Sequence, residues 1–196
     1  KTVEDLWGYF AKVDTTIRKE AIRMNFTSNH DENSWNGTEF ERMGDATDLF
    51  AAFTYVVPGM PMIYTGQMSG NHHRLEFFEK DLIDRVENAP QKALYKGLND
   101  LRAANRALWS NEKGAPMVRI AADKDKVFAC ARVKACPKHG DNTVVAIMNM
   151  SAEPQTVTLD LTNLEGEYNC LCGKTMSVEA SQTFELTPWK YIILTK

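Results

Sequence analysis

Hydrophobic periodicity changes character once along this chain, near residue 112. Before that point apolar residues recur at helical steps, interrupted by short apolar strands. After it they fall into short β-rich runs. Val3, Leu6, Trp7, Phe10, Val13 and Ile17 are spaced three and four apart, which predicts an amphipathic helix over residues 2–20. A short strand, residues 21–27, follows. Thr38-Glu39-Phe40-Glu41 is a capping box opening a helix that runs to about Val57 and stops at Pro58-Gly59. Residues 60–65 read as a short buried strand. The order helix, strand, helix, strand predicts parallel strands with crossover helices. Two strands cannot close a barrel, which needs eight. The residues therefore leave two alternatives, a small two-strand α/β layer or the tail of a larger barrel.

A long loop occupies residues 66–90. Asn88 and Pro90 then open a helix to about Trp109, with Leu94, Leu98, Leu101 and Leu108 along one side. Beyond Asn111, β-rich runs come at 118–120, 127–133, 143–150, 157–161, 168–172, 183–186 and 189–194. Strands at that spacing predict an antiparallel sandwich. The division falls at 1–112 and 113–196, with neither an internal repeat nor a low-complexity linker between the parts.

The stretch Phe26-Thr27-Ser28-Asn29-His30-Asp31-Glu32-Asn33-Ser34-Trp35 carries the chemistry. A strand that opens onto Asn, His and Asp places groups that hold hydroxyls or move protons where α/β proteins put their active sites. FTSNHDENSW resembles the seventh-strand segment of the alpha-amylase family, the family 13 glycoside hydrolases. Pro58-Gly59-Met60-Pro61-Met62-Ile63-Tyr64-Thr65-Gly66-Gln67 is similar to that family's eighth-strand segment. Arg74-Leu75-Glu76-Phe77-Phe78-Glu79-Lys80-Asp81 resembles the loop after it in bacterial members. Three ordered matches are far more specific than any one alone.

The resemblance implies an α/β plus all-β chain: the tail of a (β/α)8 TIM barrel, strands 7 and 8 with their helices, followed by an antiparallel Greek-key β-sandwich. It implies an α-glucan substrate (starch, glycogen, maltooligosaccharides), cleaved with retention. Asp31 takes the role of transition-state stabiliser, since an oxocarbenium-like state is favoured by a nearby carboxylate. His30 hydrogen-bonds sugar hydroxyls, and Asn29 braces Asp31 or His30. Trp35 stacks on a sugar ring or anchors the loop, and the sequence weighs these evenly. On spacing alone, Asp31 reads as a loop carboxylate accepting backbone amides. Glu32 is set aside as Asp31's catalytic partner, because neighbours in an extended stretch point to opposite sides. It reads as a rim residue. Tyr64, Gln67 and Arg74 are candidates for the rim, though each alone reads as structural.

Two departures from the family pattern matter. No segment resembles those that carry the family's nucleophilic Asp and acid Glu, so the chain alone is expected to be inactive. Met68 stands where the pattern has Glu, and a thioether cannot make a carboxylate's hydrogen bonds. Two alternative readings keep the resemblance without the chemistry: a carbohydrate-binding module built on the sandwich, and a catalytically silent scaffold homologue.

Composition narrows the classes further. Of 196 residues, 25% are charged and the net charge is -3, which leaves no electrostatic footprint for nucleic acid. No apolar run approaches the roughly eighteen residues of a membrane span. The chain opens on Lys1, without a signal pattern, and reads as processed or as a piece of something longer. Cys130, Cys136, Cys170 and Cys172 fit no common zinc spacing, and His139 beside Cys136 does not change that. No metal site or cofactor is expected in this chain; the family's calcium site belongs to a region outside it. Cys170 and Cys172 read as buried thiols or as halves of separate bridges. An even cysteine count suits an extracellular or periplasmic compartment as well as a reducing one. Open barrel surfaces predict self-association.

Overall fold

A computed structural model describes residues 2–137 and 140–196. His139 lies outside them. Two compact units emerge, one of residues 1–22 with 105–196, the other of residues 23–104.

The second unit holds the parallel pair. Strands β1 (Met24–Asn25) and β2 (Met60–Pro61) set Met24 opposite Met60 and Asn25 opposite Pro61. The Met60 N–H donates to the Arg23 carbonyl at 2.7 Å and the Met62 N–H to Asn25 at 2.8 Å. Both strands are shorter than the expected 21–27 and 60–65, because a ladder needs partners and each strand has one. Gly59 makes the approach feasible. Its φ is +133°, and a Cβ there would lie 2.6 Å from the Arg23 carbonyl oxygen.

Between the strands lie α2 (Glu39–Met43) and α3 (Thr47–Val56). The capping box is present: the Thr38 hydroxyl accepts the Glu41 N–H at 3.2 Å, and the Glu41 carboxylate accepts the Thr38 N–H at 2.7 Å. The helix expected from 38 to 57 is instead broken by a 3-10 turn, Gly44–Ala46, with Gly44 at φ +53°. Helix α4 (Pro90–Ala104) ends five residues before the expected Trp109, and Arg106–Leu108 form a separate 3-10 turn in the other unit. Leu98 and Leu101 of α4 are buried, and Tyr55 of α3 donates to Asn99 at 2.7 Å.

The first unit holds α1 (Val3–Thr16) and the β-rich part. Its strands are β3 (Val118–Arg119), β4 (Val127–Lys134), β5 (Asn142–Asn149), β6 (Gln155–Asp160), β7 (Gly166–Cys170), β8 (Thr175–Val178), β9 (Ser181–Leu186) and β10 (Tyr191–Thr195). They form an antiparallel sheet in the order β3-β4-β5-β10-β7-β8 and an antiparallel pair β6-β9. Strand β8 was not expected from the sequence. Val127, Ala129 and Ala131 of β4 pack with Val157 and Leu159 of β6 and Phe184 and Leu186 of β9. On the opposite face of β4, Phe128 stacks on Trp7 of α1, ring centroids 4.7 Å apart. Arg132 donates there to the Ala115 and Trp109 carbonyls. With both faces covered, β4 and β5 read as continuous apolar runs rather than alternations. The Trp7 stack is also why α1 groups with the strands, whereas the sequence reading keeps it with residues up to 112.

Cys170 and Cys172 are joined in a disulfide, which corrects the expectation of separate partners. Strand β7 ends at Cys170, and the turn that follows brings Cys172 back within a Cα–Cα distance of 5.0 Å. Cys130 is buried and free, and burial pushes its thiol up to about 12.

Candidate functional site

The site begins where β1 ends. Thr27 and Ser28 are buried, and the chain then turns helical from His30 to Asn36 rather than staying extended. Asn29 starts that turn. Its side-chain oxygen accepts the Glu32 N–H at 2.7 Å, and its carbonyl accepts the Asn33 N–H at 2.9 Å. Asn29 thus acts on the backbone under Asp31, where the sequence reading expects it to brace a side chain.

His30 and Asp31 stand at the start of this turn with exposed side chains, His30 Nε2 lying 3.6 Å from Asp31 Oδ2. Glu32 is not opposite Asp31, because successive helical residues are about 100° apart. Its carboxylate is engaged elsewhere, accepting from Asn36 Nδ2 at 3.2 Å and pairing with Arg42 Nη1 at 3.4 Å.

Arg42 went unnoticed in the sequence, where it sits on a helix as an ordinary charged residue. Here it binds three parts of the site together. It donates to the Thr27 carbonyl, to the Gly37 carbonyl at 3.0 Å, and it pairs with Glu32. Strand end, turn and α2 therefore share one guanidinium.

Gln67 lies buried behind the strand end, not at the rim. Its amide donates to Thr27 Oγ1 at 2.8 Å and to Tyr95 Oη at 3.0 Å, while its oxygen accepts the Tyr64 N–H at 2.6 Å. Glu39 joins this group. Burial raises its carboxyl above the ordinary range, opposed by hydrogen bonds from its own backbone and from Gln67 and by the charges of Arg42 and His72. The Ser28 hydroxyl, fully buried, has no hydrogen-bond partner among the described residues.

The turn also grips a second loop. Asn33 Oδ1 accepts the Leu75 N–H at 2.8 Å, and the Ser34 hydroxyl donates to the Leu75 carbonyl at 2.6 Å. Arg74 forks onto Glu41 with contacts of 3.1 and 3.2 Å. Trp35 is exposed beside this loop, its ring 5.3 Å from Phe77 and 6.3 Å from Phe78. The four residues singled out from sequence are therefore brought together: Asn29 beneath, His30, Asp31 and Trp35 on one continuous turn. Among the described residues no group of three or more His, Cys, Asp or Glu side chains is placed to hold a metal ion.

Chemically, this is an exposed carboxylate and imidazole held side by side on a braced turn, with an aromatic surface adjoining. Comparison with known proteins bears on the chain as a whole. No family model matches the sequence. The chain is 28% identical over 179 residues to the alpha-amylase MalA of Haloarcula japonica, a match covering 85% of this chain and 25% of that protein. Its fold matches a maltogenic alpha-amylase, AmyB of Thermotoga neapolitana, with a TM-score of 0.80 at 18% identity, over all of this chain and 46% of that one. AmyP, solved in complex with maltose, matches with a TM-score of 0.65 at 16% identity, over 96% of this chain and 43% of that one. In sequence the chain is similar to an alpha-amylase, and its fold is the one these amylase structures share over the matched part. The chain spans a quarter of the length of the curated relative and less than half of these solved ones.

Proposed function

We propose that this chain is the C-terminal portion of a retaining glycoside hydrolase that acts on α-linked glucans. In this reading residues 1–112 are the tail of a (β/α)8 barrel and residues 113–196 a Greek-key β-sandwich. Asp31 stabilises the positive charge that develops at the sugar's anomeric carbon. His30 holds a hydroxyl of the same sugar, and Trp35 offers a face to a sugar ring. The nucleophile and the acid come from elsewhere in the longer protein, so the 196-residue chain is inactive alone. The supporting observation is the His30–Asp31 pair, exposed and 3.6 Å apart at the end of a parallel strand. Relatives in fold have been solved with maltose and with maltotriose, which supports the choice of substrate.

The binding-module alternative draws little support from the sandwich, since Phe128, Tyr168 and Phe184 are buried and Tyr191 is half-buried. Reducing-sugar release from soluble starch decides between hydrolase and silent scaffold. The product of the complete reading frame should be active, and its Asp31→Asn form should lose several orders of magnitude in kcat. An inactive parent favours the scaffold; an undiminished variant removes Asp31 from the chemistry.

A further inference from the structure

The loop gripped by Asn33 and Ser34 is closely tied within itself. The Asn71 side chain accepts the Asp84 N–H at 2.9 Å and donates to the His73 carbonyl at 2.8 Å. His73 sits between Asp84, 3.0 Å away, and Asp81, 3.4 Å away. Asp81 in turn accepts the Glu76 N–H at 3.0 Å and the Leu82 N–H at 2.8 Å. With its path held this way, the loop nevertheless leaves Phe78 with 81% and the adjacent Phe77 with 36% of its surface exposed. A braced loop that leaves the Phe78 ring in water and Phe77 partly so, beside an exposed Trp35, points to a ligand.

The surroundings define the ligand's chemistry. The Phe77 ring lies 4.9 Å from that of Phe78, 5.3 Å from Trp35 and 5.7 Å from His30. One apolar surface thus continues into the imidazole and carboxylate of His30 and Asp31. A ligand that fits has an apolar face and a rim of hydroxyls. Asp31, Glu76 and Glu79 are carried by the same two segments as the rings, against Lys80 and an Arg74 already paired with Glu41, a balance that disfavours an anionic ligand. A neutral pyranose meets all of these conditions.

We infer that Phe77 and Phe78, together with Trp35, form a stacking platform for the glucosyl unit next to the one held by His30 and Asp31. This rests on the proposed function and deepens it. The platform sets how strongly a neighbouring sugar unit is gripped, so it determines chain-length preference rather than bond cleavage.

The test is a titration of the 196-residue chain with maltoheptaose and with glucose, read by tryptophan fluorescence, with Trp35→Phe identifying the responding ring. Phe78 is 81% exposed and both rings sit on a surface loop, so Phe78→Ala and Phe77→Ala should fold, with unchanged circular dichroism as the check. Maltoheptaose should bind the native chain, and the double alanine variant should bind at least tenfold more weakly. Phe78→Tyr should restore most of the loss, because it keeps the ring face. Absence of binding by the native chain, or equal binding by the double variant, overturns the platform. So does a platform occupied by a second copy of the chain, seen as a dimer that the double variant abolishes and maltoheptaose does not displace. Starch hydrolysis by the complete protein and its Asp31→Asn form is scored separately. A complete protein that does not hydrolyse starch, or an Asp31→Asn form as active as its parent, with platform binding intact, would sink the proposed function alone.

Discussion

The Asn33 side-chain oxygen and the Leu75 N–H form a 2.8 Å hydrogen bond that joins the turn carrying Asp31 to the loop carrying Phe77 and Phe78. Asn33 is only 2% exposed, so water cannot readily replace it. Asn33→Ala leaves a shielded amide without an acceptor and should destabilise the chain by about 1–3 kcal/mol. Chemical denaturation measures that loss. Amide exchange at Leu75 should quicken more than exchange in the β-sheet; equal acceleration would mean that the bond is not what ties the loop.

The same loop should respond to pH through His73. Hydrogen bonding to Asp84, with the charges of Asp84 and Asp81, raises the His73 pKa above its ordinary value of 6.5. A raised imidazole contributes stability that is fully present below the unfolded value and lost as pH rises through the folded one. Asp81 works in the opposite sense. The Glu76 amide, then the Leu82 amide and His73, lower its pKa, so its contribution is present above the ordinary carboxylate value and lost as pH falls through its own. The clasp is therefore strongest between those two transitions. Amide exchange at Glu76 and Leu82 should quicken on moving from about pH 6 to about pH 9 beyond the intrinsic base-catalysed rise. His73→Gln should abolish the excess, and an excess surviving in that variant would assign it to another group.

Some of this site is legible in the sequence and some is not, for physical reasons. The Thr38–Glu41 capping box reads correctly because it is local: both partners lie within one turn. The helical turn at His30–Asn36 hides behind Asn, Asp and Ser, residues that favour caps and loops alike. What decides it is the Asn29 side chain accepting from Glu32, together with Arg42 holding the Glu32 carboxylate. Strand lengths depend on partners, which periodicity does not contain, so β1 and β2 come out shorter than expected. Phe77 and Phe78 look like any apolar pair. Only the fixed path of the loop shows that their rings face water.

Ser28 supplies a prediction of opposite sign to that of Asn33. Its hydroxyl is buried without a partner among the described residues, an arrangement that costs free energy in folding. Ser28→Ala removes the hydroxyl and should leave the chain equally stable or more stable by up to about 1 kcal/mol. A loss above that size in urea denaturation would show that the hydroxyl is satisfied in solution.

Reduction of the Cys170–Cys172 disulfide should have a small effect. The bond spans a sequence separation of 2, so it restricts few conformations of the unfolded chain. Loop-closure entropy gives roughly 1–2 kcal/mol for so short a loop, against ~3 kcal/mol for a fifteen-residue one. Thermal melting with and without a reductant should differ by a few degrees at most. A collapse of the β-sheet circular dichroism on reduction would mean that the bridge holds more than its own turn.

The parallel pair β1–β2 leaves backbone edges and apolar side chains open together. Met24 and Met60, on strands with one hydrogen-bonded neighbour apiece, and Phe26 just past β1 are each between 38% and 49% exposed. An uncovered strand edge flanked by apolar groups tends to recruit another strand. At micromolar concentration the chain should therefore associate, giving a light-scattering mass at least twice the 22.2 kDa of one chain. Met24→Lys with Met60→Lys places charge on both strands and should return it to a monomer. A clean monomer before any substitution would show that these strands are covered by the chain itself.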